Sequence, residues 1–456
     1  LLVGGCSLTP TTTPSLPTPP ARYAEAGQWV VADTTAEGSR SAWWSRFEDP
    51  VLNDLQDDFS HGNPSLKIAL DRLEEARQAA RAAEGSLWPK LGLTVNGTRS
   101  RASADAPSYS PNRANPIDDL SAAVTLSYEV DLFGRVRANA AGARALAEAA
   151  AEDAAALELA LRAELINDYF QIRAIDAQLV VLEQTVDADE RALAITENLV
   201  ASGAGMPSDI AQARSQLENT RSQLADARLR RAQADHALAV LLGHPPVEAH
   251  QPIHPLPARV SLPAVSPGQP STLLQRRPDI AAALHRVESA RAAVGLARSA
   301  YFPVFNLGAA LGRESTRSDT WFTAPARFWS VTPAMVATLL DGGQRRAQTR
   351  SAVLALEEST ENYRRTVLTA YQEVEDQLAA VRELDTAQAS AEISADSAAI
   401  TLSHALHRYE AGATSYLEVA VAQNALLNSR LTAITLQYRR IVSLTLLVRA
   451  MGGNWS

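Results

Sequence analysis

The polar and apolar positions of this chain follow two alternating periods, and the same order of periods occurs twice. After Asn63-Pro64-Ser65, the apolar residues Leu66, Leu70 and Leu73 recur at helical spacing, which predicts a helix over 65–87. Pro89 ends it. The period then drops to two. Leu91, Leu93 and Val95 alternate with Gly92, Thr94 and Asn96. Beyond a polar loop, Ala122, Val124, Leu126, Tyr128, Val130 and Leu132 alternate with Ala123, Thr125, Ser127, Glu129 and Asp131. Two strands are expected, at 90–100 and 120–132, each with one apolar and one polar face. From Gly134 to Ser202 no proline occurs. That stretch reads as one helix, 134–202, which at 1.5 Å per residue spans roughly 100 Å. The turn Ser202-Gly203-Ala204-Gly205-Met206-Pro207 stops it. A return helix follows over 209–242, with Ser208 or Asp209 as the expected N-cap.

The second half repeats this text. Strands are expected at 302–313 and 328–340, and helices at 279–299, 343–411 and 416–451, with Ser415 as the last N-cap. The residues themselves recur. Pro64, Arg72, Glu74, Arg77 and Pro89 return as Pro278, Arg286, Glu288, Arg291 and Pro303. Asp131 and Arg135 return as Asp341 and Arg345. Gly203, Arg231 and Gly243 return as Gly412, Arg440 and Gly452. A repeat of this length is a duplicated structural unit rather than a solenoid turn. The expected organisation is a tether at 1–20, an aromatic lead-in at 21–62, a first repeat at 63–243, a Pro- and His-rich linker at 244–272, a second repeat at 273–452 and a short tail at 453–456. Trp43, Trp44 and Phe47 of the lead-in are expected to pack on the main body.

Composition narrows the class. In 456 residues only 5% are aromatic, too few for several globular cores, and alanine, the best helix former, dominates the apolar fraction. A net charge of −9 argues against nucleic acid as a partner. No apolar run is long enough for a transmembrane helix, which leaves barrel strands untouched. The single cysteine, Cys6, excludes an intrachain disulfide. It follows Leu1-Leu2-Val3-Gly4-Gly5 and precedes a Thr- and Pro-rich run. This resembles a bacterial lipobox with Cys6 as the lipidation site, and the run after it reads as an extended tether.

The strands set a geometric requirement. Four strands with an apolar face toward lipid cannot close, and open edges are not tolerated in hydrocarbon. Closure calls for several chains, and three copies would give twelve strands, an accepted barrel size. On the last helix, Leu427, Leu431, Ile434, Tyr438 and Ile441 step by four and three, which is coiled-coil spacing.

Taken together, the chain resembles the TolC-like outer-membrane efflux channel family, and within it the lipoprotein branch. The most specific text is Leu274-Gln275-Arg276-Arg277-Pro278-Asp279-Ile280. The strand exits Asp131-Leu132-Phe133-Gly134-Arg135 and Leu340-Asp341-Gly342-Gly343-Gln344-Arg345 add to it, as do Tyr409-Glu410-Ala411-Gly412 and Ala422-Gln423. The resemblance implies a mostly α fold with a membrane β-barrel part. Three chains would form one twelve-stranded outer-membrane barrel, continued by a long α-helical barrel in the periplasm. It implies a homotrimer that docks on a periplasmic adaptor linked to an inner-membrane transporter, and a conduit that performs no chemistry and needs no cofactor.

The resemblance also places the function at the two interhelical turns, the periplasmic tips. Gly203, Ala204, Gly205, Met206, Pro207 and Ser208 form one; Gly412, Ala413, Thr414, Ser415 and Tyr416 form the other and are expected to face the adaptor. Gly203 and Gly412 also fit plain turn geometry. Relatives carry two carboxylates, one turn apart, beyond the second tip. Here those positions are Glu418 and Val421, and an arginine found near this tip in some relatives is Thr414, so a charged lock is weakened. Leu417 and Val421 read either as a hydrophobic constriction, which gates by dewetting, or as coiled-coil core. Asp209 and Glu418 read either as aperture charges or as acids favoured by a helix N-terminus. The histidines show no metal-ligand spacing, and no catalytic constellation appears. A periplasmic adaptor or a poreless coiled-coil lipoprotein remain the alternatives. An adaptor would carry one hairpin, whereas this chain has two, each fed by a strand pair.

Overall fold

A computed structural model describes residues 8–10, 20, 22–26, 40–107, 110–112, 114–247, 251–257, 260 and 270–453. The main elements are α1 (Pro50–Gly62), α2 (Pro64–Gly85), β1 (Lys90–Ser100), β2 (Ile117–Val130), α3 (Arg135–Ala201), α4 (Pro207–Leu242), α5 (Pro270–Arg276), α6 (Pro278–Ser299), β3 (Val304–Ser315), β4 (Arg327–Val336), α7 (Gln344–Glu410) and α8 (Tyr416–Ala450). The fold is mostly helical with one small sheet. Helices α3 and α7 each run for 67 residues, because nothing in either segment removes a backbone donor or releases the chain. Both stop at a glycine with positive φ, 77° at Gly203 and 69° at Gly412, where an L side chain would be strained.

The chain divides into two compact units. The first comprises residues 1–16, 71–152 and 281–365. It holds a single antiparallel sheet in the order β1-β2-β3-β4, so the two strand pairs of the repeat join through β2 and β3. The helices in this unit pack through small residues. A Cβ on Gly142 of α3 would stand 3.4 Å from the Cβ of Ala292 on α6, and Ala138, Ala140, Ala145, Ala147 and Ala149 are buried. Strand β4 ends at Val336 rather than at 340. Its last partner is Val304, and the next residue back on β3 is Pro303, which has no N–H to continue the ladder.

The second unit comprises residues 17–70, 153–280 and 366–456. Its fully buried large side chains include Leu52 and Phe59 of α1, Leu165, Ile166, Phe170 and Ile172 of α3, Leu238 and Leu242 of α4 and Leu378 of α7. Trp43, Trp44 and Phe47 are buried here, Phe47 with its ring centroid 5.3 Å from that of Phe170. Helix α1 lies in the segment read only as a lead-in. Asp49 caps it, accepting from the N–H groups of Val51 and Leu52, and Pro50 fills its first turn. Among the contacts that dock the linker, the Leu256 N–H donates to the Arg173 carbonyl, and Gln437 of α8 donates to the Pro257 carbonyl.

Candidate functional site

The sheet presents one continuous apolar row. Leu93 pairs with Val124, Val124 with Leu311 and Leu311 with Trp329, one residue from each strand. In the single chain these four side chains are 72%, 49%, 67% and 76% exposed. A second row, Leu91, Leu126, Ala309 and Val331, lies two residues away on the same face. Alternate positions such as Gly92, Thr125, Ala310 and Ser330 fall on the opposite, polar or small face. Aromatic groups gather at both strand ends. Phe133 stacks on Phe302 at 4.6 Å at one end, and Trp321 meets Phe322 at 5.4 Å at the other. A one-sided apolar band flanked by aromatics is what a strand needs when its solvent is hydrocarbon.

The duplicated strand exits are not duplicates in bonding. Asp341 accepts from the Arg345 N–H and side chain, the latter at 2.5 Å. Asp131 instead accepts from the backbone and side chain of Arg137, while Arg135 turns to Glu129.

In the second unit, the tips are built on hairpins α3–α4 and α7–α8. In the first turn, Gly203, Ala204, Met206, Pro207 and Ser208 are exposed and Gly205 is half-buried. Helix α4 begins at Pro207 with Met206 as N-cap and no side-chain cap bond, which corrects the expectation of Ser208 or Asp209. Proline is pre-set for the first helical position, so the helix starts earlier. Asp209 then sits in the first turn of α4, half-buried.

In the second turn, Gly412, Ala413 and Ser415 are exposed and Thr414 is half-buried. Ser415 is the N-cap of α8 without a side-chain cap bond. Tyr416 departs from expectation, since it is fully buried rather than displayed. Its ring packs edge-on against Tyr409 at 5.5 Å and its hydroxyl reaches Gln423 at 3.4 Å. Leu417 and Val421 are 55% and 61% exposed, on the face opposite the hairpin core of Tyr416, Val419, Ala420 and Ala422. Glu418 is held within its own turn: it accepts from Arg408 at 2.5 Å and from the Thr414 hydroxyl.

A buried polar network behind the tips escaped sequence reasoning. Asp189 of α3 is fully buried, accepts from the Thr220 hydroxyl of α4 at 2.7 Å, and leaves its other oxygen without a partner among the described residues. Burial pushes its carboxyl above the ordinary range, and the Thr220 bond offsets only part of that. The Tyr409 hydroxyl of α7 donates to Thr196 of α3 at 3.1 Å, and Gln216 of α4 exchanges two hydrogen bonds with Asn424 of α8. These bonds tie the two hairpins together. The available signal was spacing: Asp189 and Thr196 lie two turns apart on one helix face, opposite a tyrosine-flanked turn.

The sequence profile of the outer membrane efflux protein family matches residues 57–244 and 269–453. The chain belongs to this family. It is 31% identical to outer membrane protein OprJ of Pseudomonas aeruginosa, over 100% of this chain and 94% of that protein. It is 32% identical to the toluene efflux pump outer membrane protein TtgI of Pseudomonas putida, over 100% of this chain and 97% of that one. The solved structure of the outer-membrane channel OprN superposes with a TM-score of 0.91 at 26% identity, covering 99% of this chain and 100% of that one. The protein is thus an outer-membrane component of efflux, with the fold of the solved channels.

Other candidate chemistry in this efflux protein is sparse. Cys6 and His250 lie outside the described residues. His244 pairs with Asp58 at 2.8 Å, and the His254 N–H donates to Asp176. The one grouping with metal-ligand geometry among the described residues is Glu148, His285 and Glu288, in the first unit.

Proposed function

We propose that three copies of this efflux protein join their sheets edge to edge into one twelve-stranded barrel. Its periplasmic continuation is a helical tunnel that passively conducts substrates handed on by an inner-membrane transporter through a periplasmic adaptor. The observation that carries this is the four-strand apolar row from Leu93 to Trp329, exposed in the single chain on a sheet whose outer edges, on β1 and β4, are unpaired among the described residues. Open strand edges in hydrocarbon cost several kcal/mol per unpaired group, so the sheet requires neighbours. Repeats 63–243 and 273–452 would each supply one strand pair and one hairpin per copy. Segments 21–62 and 244–272 would form a collar around the helices. Purified protein in planar bilayers is expected to conduct once its tips are mutated open, and to cross-link as a trimer in detergent. Silent bilayers with a tip-opened variant, or monomers alone, would overturn the reading.

The tip residues Gly203 to Ser208 and Gly412 to Ser415 are the proposed adaptor contacts. Leu417 and Val421, facing away from their own hairpin core, form the proposed aperture, with Asp209 and Glu418 beside it. Cys6 is the proposed lipid anchor in the outer membrane. The track of residues 10 to 8 supports this. Arg291 donates to the Pro10 carbonyl, Thr9 lies over Gly295, and Arg298 donates to the Leu8 carbonyl. The segment therefore runs along α6 toward the start of β3. Cys6→Ser is expected to abolish metabolic palmitate labelling; retained label would refute the anchor.

A further inference from the structure

The first unit carries a second kind of feature, away from the sheet. Helices α3 and α6 pack together where Gly142 faces Ala292 and Ser289. Within two turns of that contact on each helix, three side chains converge. Glu148 comes from α3; His285 and Glu288 come from adjacent turns of α6. One ligand atom from each lies within 4.8 Å of the other two. The His285 Nδ1 stands 2.9 Å from a Glu288 oxygen and 3.4 Å from a Glu148 oxygen.

The charge balance of this group is unusual. Two carboxylates bring their oxygens together and share a single imidazole. The nearby guanidinium, Arg144, lies one turn from Glu148 and is instead paired with Glu84 at 2.5 Å. The carboxylates thus repel each other across a gap that a small cation would bridge. All three donors stand on helices, Glu148 on α3 and His285 and Glu288 on α6, so they are preset rather than gathered from flexible loops.

The geometry points to Glu148, His285 and Glu288 as a divalent transition-metal site that clips α3 to α6. One imidazole nitrogen and two carboxylates select Zn²⁺, Cu²⁺ or Ni²⁺ over Mg²⁺ and Ca²⁺, which take all-oxygen sets. With three protein ligands, water completes the coordination, as at open zinc sites. The half-exposed position of Glu148 and Glu288 keeps the site reachable from solvent, with side chains 50% and 45% exposed.

The test is Zn²⁺ titration of the full chain, purified in detergent without a histidine tag and read by calorimetry. Thermal unfolding with and without the metal gives the second readout. One saturable Zn²⁺ per chain is expected, with a raised unfolding midpoint. His285→Ala is expected to weaken binding at least about tenfold, the loss typical of damage to a metal's surroundings, and to remove the thermal shift. Glu148→Gln and Glu288→Gln keep the shape and the imidazole contact, so they guard against simple misfolding, and each is expected to weaken binding too. No saturable Zn²⁺ binding, wild-type binding in His285→Ala, or Mg²⁺ binding as tight as Zn²⁺ would each overturn the assignment.

Discussion

Gly62 at the end of α1 and Gly243 at the end of α4 meet backbone to backbone. A Cβ on Gly243 would lie 2.0 Å from the Gly62 carbonyl oxygen, and one on Gly62 would lie 2.1 Å from the Leu242 oxygen. Asn63 locks the joint by donating to the Leu241 carbonyl at 2.6 Å. The second repeat builds the same joint, with Gly452 against the Arg276 carbonyl and Arg277 donating to the Ala450 carbonyl. Gly62 has an ordinary φ, so Gly62→Ala tests the contact alone. The clash is with backbone, which cannot rotate away. A loss of about 2–4 kcal/mol is expected, read as a lower unfolding midpoint. Gly203→Ala is the control. Its φ is 77° but its Cβ would meet nothing within 4 Å, so it should lose only about 1 kcal/mol. Equal effects at the two sites would refute the close-approach argument.

The duplication also supplies an internal comparison of ion pairs. Arg231 bonds Asp176 at 2.6 Å with both partners almost fully buried. The equivalent pair, Arg440 with Asp385, is also at 2.6 Å, but the Asp385 side chain is 62% exposed. Asp176→Ala leaves the buried Arg231 guanidinium with Asp235 as its remaining carboxylate, at 2.5 Å, and removes the acceptor of the His254 N–H, so it should cost about 2–3 kcal/mol. Asp385→Ala should cost at most about 1 kcal/mol. Denaturant unfolding of the two variants checks this, and similar losses would contradict it.

This comparison shows what the sequence does and does not carry. The repeat aligned Arg231 with Arg440 but could not say that one would be buried, because burial depends on which linker residues cover it. Here the Gln251 carbonyl accepts from Arg231. The long helices were legible because a run without proline leaves one choice of backbone. The strand faces were legible because Leu91, Leu93 and Val95 alternate cleanly. The tip was less so. Tyr416 stands in a turn that reads as exposed, yet it is the first residue of α8 and points back onto Tyr409. Matching letters do not carry bonding at the strand exits either: Asp131 and Arg135 recur as Asp341 and Arg345, but only the second pair bonds. Local text fixes periodicity; partner choice is settled by what packs alongside.

The Asp189 carboxyl gives the tip core a pH dependence with a definite sign. Its acidity is weakened by burial, so its folded value lies above the ordinary 3.8. The packed hairpins therefore favour the neutral acid. Their stability is full below about pH 3.8, falls as pH rises toward the raised folded value, and is flat above it. The titratable groups facing Asp189 are Tyr416 of α8 and, beside it, Tyr409 of α7; burial raises the Tyr416 phenol, and the charges of Asp189 and Tyr409 add to that. Hydrogen exchange at amides 188–196 and 416–423, corrected for intrinsic rates, is expected to be slower at pH 4 than at pH 7. Asp189→Asn should be slow at both. Unchanged pH dependence in that variant would refute the assignment.

The last prediction concerns what seals the tunnel. Glu418 has its two oxygens occupied within its own turn by Arg408 and Thr414, so it is poorly free to bond a neighbouring copy. Leu417 and Val421 have no such internal engagement and stay exposed although apolar. If they ring the aperture, closure there is by dewetting, and polarity rather than charge controls it. Val421→Thr keeps the shape of the side chain and adds one hydroxyl, and Leu417→Asn adds an amide of similar size. Together they are expected to raise single-channel conductance in planar bilayers severalfold at unchanged trimer yield, whereas Glu418→Gln should leave it nearly unchanged. The reverse pattern, with conductance responding to Glu418→Gln and not to the apolar pair, would mean that a charged lock survives without its second carboxylate.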